Sequence, residues 1–126
     1  MGRKMIDKTT LDKTKNLFVK CSPLFLALGD SQRQKILIDI AEAGEINVTD
    51  LAAISSLSRP AVSHHLKLLK DYGIVAAIKK GTQVFYRLHI LPSLENLSGL
   101  ISEIHKIAKH YESKLLESAG TLSAHP

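Results

Sequence analysis

Along residues 17 to 28, apolar side chains fall at Leu17, Phe18, Cys21, Leu24, Phe25 and Leu28, the three-and-four spacing that gathers them on one side of a helix. Pro23 lies within this run and predicts a kink or break there. Gly29-Asp30-Ser31 ends it and opens a second helix, with Asp30 or Ser31 as N-cap, Ile36, Leu37, Ile40 and Ala41 on one face, and Gly44 as terminator. Asn47 is placed to cap a short third helix from Val48, with Leu51, Ala52 and Ile54 turned inward, until Ser55-Ser56-Leu57 breaks the pattern. Ser58 caps a fourth helix, Pro60 fits its first turn where no amide donor is needed, and Gly73 stops it after about Asp71.

The fourth helix has two unlike sides. At about 100° per residue, Val62, Leu66 and Leu69 point together, with Ala61, His65 and Leu68 beside them, and this face is expected to pack inward. The opposite arc carries Arg59, Ser63, His64, Lys67 and Lys70 and meets solvent or a partner. From Ile74 to Leu88 the residues read as two short strands, IVAAIK and QVFYRL, joined by a turn at Lys80-Gly81. A last helix, from about Leu94 to Ser118, places Leu94, Leu97, Ile101, Ile104, Ala108, Tyr111 and Leu115 on an a/d seam. At ~1.5 Å per residue this helix spans about 37 Å, more than so small a domain needs to cover its own core. The seam is therefore expected to pack against a second copy, the alternative being the first helix of the same chain.

The 126 residues, 44% of them apolar and 23% charged, suit one small folded domain with a mostly aliphatic core. The expected division is a flexible leader at 1–10, a folded unit at 11–118 and a flexible tail at 119–126. One cysteine closes no internal disulfide and offers no thiolate zinc set, which makes a reducing, cytoplasmic compartment the expectation. No apolar run exceeds the five residues from Leu24 to Leu28, too few to span a bilayer. Of the net charge of +5, residues 58–87 hold six basic groups against one acidic, and residues 1–20 six against two, while 21–57 are net acidic. That distribution fits a polyanionic partner.

A helix, a short turn and a second helix with an outward polar and basic arc make a helix-turn-helix, and the basic hairpin that follows completes a winged helix. The fold class expected is mainly α with a small β-hairpin. The 58–71 helix fits the major groove, where Arg59 donates to guanine edges and Ser58, Ser63 and His64 reach bases or phosphates. Lys67, Lys70, Lys79, Lys80 and Thr82 supply backbone contacts, with the 79–82 wing tip on the backbone or in the minor groove. No nucleophile-base-acid set, Gly-rich phosphate loop or paired carboxylates suggest an enzyme, and no cofactor is expected.

The stretches LALGDSQRQKIL, EINVTDLA, LSRPAVSHHLKLLKDYGIV and KKGTQVFYRL resemble the ArsR/SmtB family of bacterial winged-helix repressors over residues 24 to 88. The resemblance implies a homodimer joined by the first and last helices, through Leu17 and the 94–111 seam, that binds a two-fold operator on double-stranded DNA and is released by a small inducer. Members that sense thiophilic metals carry Cys-Val-Cys where this chain has Asn47, Val48 and Thr49, so thiolate ligands are lacking here. The alternatives are a zinc-type site between subunits drawn from His89, Glu103, His105 or His110, a redox response at Cys21 through a disulfide with its symmetry mate, or a winged helix that binds protein. Ser56 stands where the family often has Gly, which predicts strain if that turn is left-handed.

Overall fold

The computed structural model describes residues 5–119; Arg3 and Lys4 of the leader and residues 120–126 of the tail lie outside the described residues. The elements are α1 (Lys8–Leu28), α2 (Ser31–Ala43), β1 (Ile46–Asn47), α3 (Val48–Ile54), α4 (Arg59–Asp71), β2 (Val75–Lys80), β3 (Gln83–Leu88) and α5 (Leu91–Ala119).

Helix α1 begins inside the stretch read as leader because the Asp7 carboxylate accepts from the backbone N–H of Thr9 at 3.3 Å. It also runs through Pro23 as one helix, so that of the expected kink or break no break occurs. The proline forfeits one backbone hydrogen bond, and burial of Cys21, Leu24 and Ala27 on either side carries the helix past it. At the other end, side chains of α2 close the orphan carbonyls: Arg33 donates to Leu26 and Ala27 at 2.8 and 3.0 Å, and Gln34 to Leu28 at 2.7 Å. Asp30 is the N-cap of α2, accepting from Gln32 and Arg33.

The core gathers Ile36, Ile40, Leu51, Val62, Leu66, Leu69 and Ile74, from helices α2 to α4 and the start of the hairpin. Two expected members are absent from it: Ala41 is exposed, and Ile54 is 57% exposed at the end of α3, where that helix stops before turning the side chain inward. Ser56 has no positive φ, and Gly44, Gly73 and Gly81 take the left-handed positions among the described residues, so the strain expected at Ser56 does not arise.

The hairpin gains a third strand. The antiparallel order is β1-β3-β2, with Ile46 opposite Tyr86 and Asn47 opposite Phe85. Strands β2 and β3 pair from Val75 with Leu88 to Lys80 with Gln83; β3 lies where expected and β2 runs one residue later, so the loop is Gly81-Thr82. Gly81 has φ +63, the backbone a two-residue connection needs.

Helix α5 starts at Leu91, earlier than expected, and lies along α1. Its buried side is Leu100 and Glu103, beside Gly99, where a Cβ would meet the Leu17 methyl groups at 3.5 and 3.6 Å. The seam is a neighbouring arc about 100° round the helix. Leu94, Ile101, Ile104, Tyr111 and Leu115 remain exposed, Ala108 is half-buried, and Leu97 packs on the chain's own core.

Candidate nucleic-acid interface

Helix α4 is built as its residues dictate. The Ser58 hydroxyl accepts from Ala61 N–H at 3.3 Å, Pro60 sits in the first turn, and Gly73 follows the last with φ +77. Val62, His65, Leu66 and Leu69 are buried beneath it. His65 is held through Nε2, 3.1 Å from Gln32 Oε1 on α2. With that side fixed, Arg59, Ser63, His64, Lys67 and Lys70 all face outward and are exposed. Lys79, Lys80 and Thr82 are exposed at the hairpin end.

The cations of this surface differ in what they touch. Arg59, Lys70 and Lys79 have no ion-pair partner among the described residues. Lys67 is hydrogen-bonded to Asp71 at 2.8 Å, one turn on. That hydrogen bond, aided by the carboxylate's charge, raises the Lys67 pKa above its ordinary value. Lys80 is paired with Glu45 and lies 5.3 Å from the Phe85 ring centroid. Two of the four lysines read as phosphate contacts, Lys67 and Lys80, are thus engaged within the chain.

Arg59 borders an open cleft of about 680 Å³, walled by Asn47 to Asp50 at the start of α3 and by Thr82 to Tyr86 of the hairpin. The Asn47 side-chain Oδ1 caps α3, accepting from Asp50 N–H at 2.8 Å, while its Nδ2 donates to Gln83 Oε1 at 3.3 Å. Gln83 and Glu45 were not singled out from sequence. Their partners, Asn47 and Lys80, lie 36 and 35 positions away, a separation for which local pattern gives no signal.

The remaining candidates fall elsewhere. Cys21 is 1% exposed, which denies the thiol the access that a disulfide to a symmetry mate requires. Glu103 is buried with one carboxylate oxygen 3.0 Å from Lys106 Nζ and the other without a hydrogen-bond partner, His89 and His105 are exposed, and His110 stands edge-on to Tyr111. Among the described residues, no three of His, Cys, Asp and Glu come together in a group that could hold a metal ion. Nor is any described helix long and apolar enough to cross a membrane.

Comparison with known proteins agrees with this geometry. Residues 30–77 match the family described as "Bacterial regulatory protein, arsR family". The chain is 30% identical over 83 residues to the transcriptional repressor SdpR of Bacillus subtilis, covering 66% of this chain and 91% of that protein. It is 34% identical over 94 residues to the arsenical resistance operon repressor of the same organism, covering 74% of this chain and 86% of the relative. In fold it is similar to an ArsR-like transcriptional regulator from Rhodococcus sp. RHA1, with TM-score 0.71 and 23% identity over 82% of this chain and 96% of the other.

Proposed function

Because the chain belongs to the ArsR family of bacterial regulatory proteins, we propose that it represses transcription as a homodimer bound to a two-fold operator. Its relatives are transcriptional regulators rather than enzymes, and the chain is a DNA-binding regulator of that kind. Helix α4 enters the major groove, with Arg59, Ser63 and His64 at base edges or phosphates and Lys67 and Lys70 on the backbone. The hairpin lays Lys79, Lys80 and Thr82 on the flanking backbone or minor groove. The second copy docks on the seam of α5 and the adjoining exposed arc of α1, which includes Phe18 and Phe25.

The observation that carries this reading is the division of α4. One side buries Val62, His65, Leu66 and Leu69, and the other presents Arg59, Ser63, His64, Lys67 and Lys70 to solvent. An inducer releases the repressor. Because Asn47, Val48 and Thr49 open α3, that inducer is not a thiophilic metal held there, although some relatives are named for arsenical or cadmium resistance.

The test is to recover genomic fragments bound by the purified protein and sequence them, with and without zinc and with and without oxidant. A shared motif of two-fold symmetry is expected, unchanged by oxidant since Cys21 is enclosed. Fragments with no common motif would overturn the operator reading.

A further inference from the structure

Glu45 and Asn47 flank Ile46 of β1 and reach across 35 and 36 positions to the two residues that bracket the hairpin loop. Lys80 donates to the Glu45 carboxylate, and Asn47 holds Gln83, the residue paired with Lys80 across the loop. The Lys80 ammonium also lies over the Phe85 ring. Neighbouring Lys79 has no such restraint among the described residues. To an ammonium, a carboxylate oxygen and a phosphate oxygen are equivalent acceptors, anionic and short-range.

We propose that Glu45 is a positioning residue that acts through Lys80: in the free protein it occupies the place of a DNA phosphate, so that Lys80 reaches the duplex by exchanging carboxylate for phosphate. This rests on the DNA-binding reading given above. The Lys80 and Glu45 side chains are 56% and 27% exposed, so the exchange requires a rotation of the lysine stem and no unfolding. The Asn47–Gln83 hydrogen bond involves no charge and keeps the hairpin seated while Lys80 swings. Phosphate attraction is blind to sequence, so Glu45 lowers affinity for every duplex by the same factor.

The test compares Glu45→Gln, Lys80→Ala and the double variant in fluorescence-anisotropy titrations of a mixed-sequence duplex at low salt. Glu45→Gln is expected to bind about three-fold more tightly, in keeping with the loss of one solvent-exposed ion pair. Lys80→Ala is expected to bind more weakly, with a salt slope lower by about one. Adding Glu45→Gln to Lys80→Ala is expected to change nothing. A gain of equal size in the Lys80→Ala background would mean that Glu45 only repels DNA at a distance, and the proposal falls. A loss, or no change, in the Glu45→Gln single variant also overturns it. If the unaltered protein leaves the duplex free, the DNA-binding reading fails first and takes this inference with it.

Discussion

His65 Nε2 lies 3.1 Å from Gln32 Oε1, which ties the inward face of α4 to the first turn of α2. Its neighbour His64, with ring centroid 6.0 Å away, is exposed on the outward face. Two adjacent residues of one type therefore have separable jobs. His65→Ala removes packing beneath the helix and is expected to cost about 1–3 kcal/mol of stability in urea unfolding. His64→Ala is expected to leave stability within about 0.5 kcal/mol and to weaken DNA binding. Unfolding midpoints and duplex affinities measured on both variants check the assignment, and equal loss of stability in the two would refute it.

Arg59 stands at the first position of α4, beside the cleft toward the hairpin and without an ion-pair partner among the described residues. With the proposed bidentate contact to guanine, Arg59→Ala is expected to lose about 1–3 kcal/mol against the cognate operator and to relax preference at one base pair. Competition binding with single-base operator variants measures this. Equal losses on every sequence would assign Arg59 to phosphate.

Lys79 is exposed near the hairpin end and carries no internal counter-charge among the described residues. Lys79→Ala is expected to weaken binding alike on cognate and mixed sequences and to lower the salt slope by about one. An unchanged slope would take this lysine off the DNA.

Helix α4 was legible in sequence to its end residues because its signals are local: a serine cap, a first-turn proline, a following glycine and a 3.6-residue apolar repeat. Strand β1 was not, since two residues carry no periodicity and Ile46–Asn47 becomes a strand only by meeting Phe85 and Tyr86. The long helix was found, with its seam assigned to a second copy, but the arc that packs on α1 was not read. The heptad count selects the most apolar arc, whereas the arc that packs on α1 uses Gly99, Leu100 and Glu103, two of which add nothing to a hydrophobic pattern. The outward cations were legible as residues, but the pairing of Lys80 with Glu45 was not, because the partner lies 35 positions away.

Asp30 gives a pH dependence whose sign is fixed by its contacts. The backbone N–H of Arg33 is the largest influence and lowers the carboxylate's pKa below its ordinary value; desolvation opposes it, and the N–H of Gln32 and the Arg33 charge add to the lowering. A folded-state pKa below the unfolded one contributes stability at neutral pH that fades as pH falls below the unfolded value and through the folded one. Asp30→Asn keeps a capping acceptor and is expected to hold most of the stability at neutral pH while flattening the acid limb. Asp30→Ala is expected to lower Tm at neutral pH, with the gap to the parent protein closing under acid conditions. Thermal melts across this range decide it, and a gap that widens toward low pH would contradict the capping account.

Phe18 and Phe25 on α1 are 47% and 44% exposed, and Ile101 and Tyr111 on α5 are 58% and 51% exposed. These residues lie outside the arcs that join α1 to α5, so each helix carries an apolar stripe that the described residues leave uncovered. A charge placed in the uncovered stripe meets water in the monomer but is trapped without a partner in a dimer. Ile101→Glu is therefore expected to leave helix content and cooperative unfolding intact while shifting the protein from dimer to monomer in sedimentation velocity. Leu100→Glu, one residue away but 2% exposed, is expected to unfold the chain instead. Since a two-fold operator needs both α4 helices at once, the Ile101→Glu monomer is expected to lose most of its operator affinity while keeping weak binding to any duplex. A variant that stays dimeric would place the subunit contact elsewhere.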